Sequence, residues 1–165
     1  MLIEVKRIGV LLLTSVLMLV LMTFTGCSKY SDIKVVSVKI ESVNMNGLRA
    51  GEAGLTVKID NPAGKMIVEE LYGVVKHSGK VLGKFDLDPV TLKPKQADDY
   101  AMKIRFELDK GVGVMYMLNF TDPRKLKECT IDLNARAKAA GVRVKKEYKD
   151  VPVKNLLEGY YNEKI

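Results

Sequence analysis

The 165-residue chain contains no tryptophan, one histidine and two cysteines, and aromatic residues make up only 7% of it. Each shortage removes a class of function. With His77 the sole imidazole, any Cys–His or Ser–His nucleophile would have to be built around it. Ser78 adjoins it, but no segment offers the orienting carboxylate or oxyanion site of a triad, so His77 reads as a solvated turn residue. Two cysteines make no disulfide framework. Without tryptophan, a carbohydrate platform would rest on Tyr72, Tyr148, Tyr160 and Tyr161. No P-loop, dinucleotide-binding glycine pattern, zinc-ligand spacing or nucleophile elbow occurs. Asp86 and Asp88 share a strand face and Asp98-Asp99 open another strand, yet neither pair has calcium-loop spacing. No catalytic residue, metal or cofactor is expected.

What is present is most distinctive at the head of the chain. Met1 to Gly9 carries Lys6 and Arg7, Val10 to Phe24 is almost wholly Leu, Val and Met, and Thr25-Gly26 place small residues before Cys27. That is the order of a secretory signal. Counted generously from Ile8 to Thr25, the apolar run reaches only the lower edge of the ~17–25 residues a spanning helix needs, which leaves an uncleaved anchor as the alternative. Phe24-Thr25-Gly26-Cys27 resembles the bacterial lipobox, with Phe24 where that pattern usually has Leu. The resemblance implies cleavage after Gly26 and diacylglycerol on Cys27. Residues 1–26 would then be a signal peptide and 27–32 a lipidated N-terminus and tether. Acyl chains contribute roughly 0.8 kcal/mol per buried methylene, so two or three make a stable attachment. Ser28, rather than aspartate, follows the cysteine; by the proteobacterial sorting rule this implies the outer membrane, facing the periplasm.

Beyond the tether a two-residue period takes over. Val36, Val38 and Ile40 alternate with Ser37, Lys39 and Glu41, and Leu55, Val57 and Ile59 alternate with Thr56, Lys58 and Asp60, as in half-buried strands. Asn46-Gly47 and Gly51 read as turn signals between them. EELYGVVK and KVLGKFDL flank His77-Ser78-Gly79, the spacing of a hairpin with Gly79 at positive φ. PVTLKP is a short extended piece, and ADDYAMKIRFEL puts Tyr100, Met102, Ile104 and Phe106 on one face. GVGVMYMLNF is apolar on both phases, which leaves strand and short helical crossover open. KLKECTIDLNARAK and VRVKKEYKDVPV form a further hairpin around Ala140-Gly141, with Cys129 in phase with Ile131 and Leu133 as a small buried residue. If Cys27 is lipidated, Cys129 is a free thiol. Residues 33–165 are therefore expected to be one all-β domain: an antiparallel, immunoglobulin- or fibronectin III-like β-sandwich of about seven strands. Such a chain buries a core without disulfides.

Val57-Lys58-Ile59-Asp60-Asn61-Pro62 is a strand ending in Asn-Pro, followed by a strand, a Gly-containing hairpin and a Pro-bounded segment before an alternating strand. Over roughly residues 33 to 153 this order resembles the type 2 late embryogenesis abundant family, also called the water stress and hypersensitive response domain. Ala63-Gly64 departs from the further Asn or bulky residue frequent there. The resemblance implies a fibronectin-like sandwich, no catalytic constellation and a role in stress or envelope protection. Independently of it, proline cannot donate to a ladder and extends the residue before it, so the strand ends at Asn61-Pro62. Asn61 can bond its local backbone and fix the turn.

The formal charge is +7; Lys6, Arg7 and Glu4 of the leader account for +1, leaving +6 on the mature chain. Lys125, Lys127, Arg143, Lys145, Lys146 and Lys149 concentrate toward the last hairpin, where they would either meet an anionic envelope component or form a solvated face that discourages edge pairing. Aromatics are not interleaved with these residues, so nucleic acid is not an expected partner. The expected role is that of a membrane-tethered, non-enzymatic envelope lipoprotein. The alternative is a glycan-binding accessory lipoprotein of a polysaccharide uptake system.

Overall fold

The computed structural model describes residues 30–117 and 123–154, so Gly26, Cys27, Tyr160 and Tyr161 lie outside the described residues. A 3₁₀ turn at Tyr30–Asp32 leads into β1 (Lys34–Asn46), β2 (Ala50–Asn61), β3 (Met66–His77), β4 (Lys80–Leu87), β5 (Val90–Leu92) and β6 (Gln96–Leu108). Two four-residue helices, α1 (Val114–Met117) and α2 (Pro123–Leu126), precede β7 (Cys129–Ala139) and β8 (Val142–Pro152). The pairings are antiparallel throughout. The all-β antiparallel expectation holds, with Val90–Leu92 as the eighth strand. Within the two-phase apolar stretch, Val114–Met117 is helical, and 118–120 lie outside the described residues.

The strands form one hydrogen-bonded path, β1-β2-β6-β4-β3-β7-β8, with β5 paired to β3. Strand β4 joins the two halves, pairing with β3 from Leu87 to Lys80 and with β6 from Gly83 to Leu87. Beyond Leu87 the path parts: β5 takes its place beside β3 at Met66–Val68, while β6 continues along β2 to Gln96. The halves close over one apolar core, in which Val57 and Ile59 of β2 and Ile131 and Leu133 of β7 are fully buried. The result is a sandwich joined through β4 at one end and split at the other.

Turn chemistry sets the registers. His77 pairs with Lys80 around Ser78 (φ 50°) and Gly79 (φ 78°), and Ala139 pairs with Val142 around Ala140 (φ 48°) and Gly141 (φ 79°). Two positive φ values are the signature of type I′ turns, whose twist matches that of the flanking strands. The β1 phase departs from the alternation in the sequence. A register shift between Val35 and Ser37 makes Val36 an extra, 56%-exposed residue, so Val35 is the buried one. A bulge of this kind reverses the faces that follow it.

Gly51 belongs to β2 rather than to the turn, which is set by Asn46-Gly47 with Gly47 at φ 80°. It lies in a row of directly paired residues, Met45, Gly51, Phe106, Phe85, Gly73, Leu133 and Tyr148, that crosses seven strands. Opposed residues share a face. The Phe106 ring covers Gly51 and the Phe85 ring covers Gly73: a Cβ on either glycine would lie 2.7 or 2.8 Å from a ring carbon. Glycine is used here to make room for the rings.

Candidate functional site

The split end of the sandwich is built around Asn61, the one buried polar side chain among the described residues, at 0% exposure. Its Oδ1 accepts from the Ala63 amide at 3.0 Å, and its Nδ2 donates to the Gly64 carbonyl at 3.0 Å and to the Lys93 carbonyl at 2.8 Å. The first two bonds fix the Asn-Pro turn, as the sequence implies. The third ties the end of β2 to the exit of β5 in the opposite half. The Lys93 amide donates to the Tyr100 hydroxyl at 2.8 Å and the Lys95 amide to the Ala63 carbonyl at 2.9 Å, closing the gap left where β4 ends. Pro62 is exposed. Gly64 leaves space for Tyr30, whose hydroxyl would stand 2.9 Å from an added Cβ, so the chain enters the fold against this same turn.

The side chains with chemical potential are engaged in other contacts. Cys129 is 1% exposed, and burial, reinforced by the Glu128 charge, pushes its thiol up to about 12. Its Sγ lies 3.8 Å from the Lys125 carbonyl as a weak donor. A thiolate nucleophile needs the opposite shift. The native thiol should therefore resist iodoacetamide and react at once in urea; rapid alkylation of the folded protein would refute this assignment. His77 pairs across the sheet with Cys129, and its Nε2 lies 3.2 Å from Glu128 Oε2. Asp86 and Asp88 both hold Arg105, and their hydrogen bonds, Asp86 first, raise the guanidinium above its ordinary value. Lys93 does the same for Asp98, whose carboxyl is drawn below the ordinary carboxylate range. Among the described residues no group of three or more His, Cys, Asp or Glu could hold a metal ion.

The outer faces carry opposed charges in register. Glu69 accepts two bonds from Arg143 at 2.7 and 2.8 Å and is lowered mainly by them. Lys76 sits between Asp132 at 2.9 Å and Asp150 at 2.6 Å, bonds that raise it. Asp132 also accepts the amide of Asp150 at 2.8 Å, the main cause of its lowered pKa, where a bulge gives Asp150 a φ of 51°. An open depression of about 270 Å³ over β2, β4 and β6 is walled by such pairs, Lys84 with Glu107 at 3.0 Å among them.

Lys125, Lys127, Arg143, Lys145, Lys146 and Lys149 do not form one patch. Lys125 and Lys127 lie on α2 and the turn after it, at the joined end. Arg143 lies at the split end, paired with Glu69, and Lys145 is paired with Glu147 at 2.7 Å. Lys146 opposes buried Ala135, so it alternates to the core side of an edge strand, a placement that hinders strand addition. Lys149 is exposed one residue before the bulged Asp150. Adjacent strand residues face opposite ways, so closeness in sequence does not make a common surface. Of the tyrosines, Tyr72 is exposed on the outer face and Tyr148 is half-buried.

No protein-family model matches the chain, and no curated protein does. The chain is similar to a solved structure described as a protein from Archaeoglobus fulgidus, with a TM-score of 0.43 and 13% identity over 70% of this chain and 91% of that one. A second similarity is to a glycosyl hydrolase family 2 member from Bacteroides cellulosilyticus DSM 14838, with a TM-score of 0.29 and 10% identity over 67% of this chain. The matched part is 13% of that longer protein.

Proposed function

We propose that this protein is a membrane-tethered, non-enzymatic envelope lipoprotein whose all-β domain has a stress-protection or binding role of the kind found in the type 2 late embryogenesis abundant family. The observation that carries the reading is Phe24-Thr25-Gly26-Cys27, at the end of an apolar run and only a few residues before the domain begins at Tyr30. Two features of the domain support it. The thiol is buried and raised, and the acids with the best prospects of chemistry are paired with Arg105 and Lys93. Tyr30 packs beside the Asn61-Pro62 turn, so a short tether would present that end to the membrane.

Intact mass spectrometry of membrane-extracted protein tests the anchor. The wild-type chain should begin at Cys27 and carry the added mass of acyl chains; Cys27→Ala should retain its leader and carry none. A full-length or unacylated wild-type chain would remove the tether and with it the envelope assignment.

A further inference from the structure

We infer that the split end of the sandwich is a docking face for anionic lipid headgroups, held against the bilayer by the tether and working through Lys65, Lys95 and Lys138. The inference rests on the proposed anchor at Cys27 and adds to it an orientation and a lipid preference.

Three observations converge on this end. The first is reach. Tyr30 follows Cys27 by three residues, so the extended tether spans at most about 10–11 Å. Tyr30 in turn packs against Gly64, next to Lys65. Tyr30 therefore stands within about 10–11 Å of the anchoring residue, close to the ~8–10 Å over which a charged surface is felt, and Lys65 follows the glycine it packs on.

The second is charge. The loops that form the tip are residues 62–65, between β2 and β3, 93–95, between β5 and β6, and 140–141, between β7 and β8. They carry Lys65, Lys93 and Lys95 and no acid. Lys93 is spent on Asp98, whereas the exposed Lys65, Lys95 and, one step into β7, Lys138 stand at the tip. Beside them Val142 is 62% exposed, an apolar contact at headgroup depth.

The third is the distance to the other basic cluster. Strand β7 has 11 residues, so Lys125 and Lys127, which precede it, stand on the order of 35 Å from the split end at ~3.3 Å per residue. That is several Debye lengths, too far to feel the same bilayer in this orientation. Acids flank the tip at Asp32, Asp60 and Asp99 on the β1–β2–β6 side, whereas on the β3–β7 side Glu69 and Glu70 are held by Arg143 and Arg136, so the attractive face is the one toward β3 and β7.

The test uses the full-length, membrane-extracted protein reconstituted into vesicles of phosphatidylcholine, alone or mixed with phosphatidylglycerol. A fluorophore is placed at Ala140→Cys, at the split end, or at Lys127→Cys, at the joined end; the buried Cys129 stays unlabelled. Brominated lipid should quench the probe at 140 several-fold more on phosphatidylglycerol vesicles than on phosphatidylcholine, and should leave the probe at 127 unchanged. High salt or Lys65→Glu with Lys138→Glu should abolish the difference without moving the melting temperature. Each lysine near such a surface is worth roughly a fivefold change in binding, so the double reversal should exceed 25-fold. Equal quenching at both positions, or quenching at 140 that ignores lipid charge, would overturn the docking face. Mass analysis of the same preparation separates the two claims. If Cys27 is unacylated and the chain is free, salt-sensitive flotation with phosphatidylglycerol vesicles that needs Lys65 and Lys138 keeps the docking face while the anchor fails. No flotation removes both.

Discussion

Replacing Asn61 by leucine should lower the unfolding free energy by about 3–5 kcal/mol, because it strands three backbone groups that cost about 1–3 kcal/mol each when left unpaired. They are the Ala63 amide and the carbonyls of Gly64 and Lys93. Leucine fills a similar volume, so the loss would report hydrogen bonds rather than a cavity. Against a total stability of about 5–15 kcal/mol, it should shift the urea midpoint far enough to measure without ambiguity. Asn61→Asp adds a second readout. It keeps the acceptor for the Ala63 amide but sets a carboxylate against two carbonyl oxygens. Its folded pKa is then raised above the unfolded value near ~3.9. A carboxyl raised in this way costs nothing extra below the unfolded pKa and progressively more above it. Asn61→Asp should therefore be closest to wild type near pH 4 and weakest near neutrality, and Asn61→Leu should show no such slope. A loss below about 1 kcal/mol for leucine would mean that the split end holds without the asparagine.

That residue marks how far the sequence could be read. Asn61-Pro62 shows that a strand stops and a turn begins, since both follow from local backbone chemistry. Its bond to the Lys93 carbonyl joins residues 32 apart and depends on the gap where β4 ends, which no local pattern encodes. The alternation of Leu55, Val57 and Ile59 and the Ser78-Gly79 and Ala140-Gly141 turns were legible for the same reason: period and turn type act over a few residues. The alternation puts Val36 on the buried phase with Val38 and Ile40, and a single inserted residue turns it outward. Gly51 was indistinguishable from a turn glycine because the ring it accommodates, Phe106, belongs to another strand. The basic residues form the clearest case of sequence proximity misleading. Lys127 and Arg143 flank β7 and the turn after it, so strand length sends them to opposite ends of the molecule. The lysines that share an end, 65, 95 and 138, are scattered along the chain and come together only through the topology.

The second large effect is expected at Gly73. It sits in the middle of β3 with β4 on one side and β7 on the other, paired with Phe85 and with Leu133. An added Cβ would meet the backbone carbonyl of Asp132 and two carbons of the Phe85 ring, at 2.8 and 3.0 Å. Overpacked cores typically lose about 1–3 kcal/mol, and more when backbone must move; Gly73→Val should reach at least about 3 kcal/mol because the carbonyl belongs to a central strand. Gly73→Ala should fall lower in that range. The two obstacles can be told apart by a double mutant. Phe85→Leu withdraws the ring, so combining it with Gly73→Ala should cost less than the sum of the single losses. The recovery should be partial, because the Asp132 carbonyl stays where the ladder puts it. Strict additivity would show that the ring yields freely and that the carbonyl alone demands glycine. Full recovery would place the whole constraint in the ring. Either way β3 organises its half, since it pairs with β5 and β7 as well as with β4, the strand that joins the two halves. A β3 forced away from β7 also loses its hold on β5, whose exit Asn61 binds. Gly73→Val and Asn61→Leu should therefore be less than additive: once one has loosened the β3–β5 edge, the other has less ordered structure left to break.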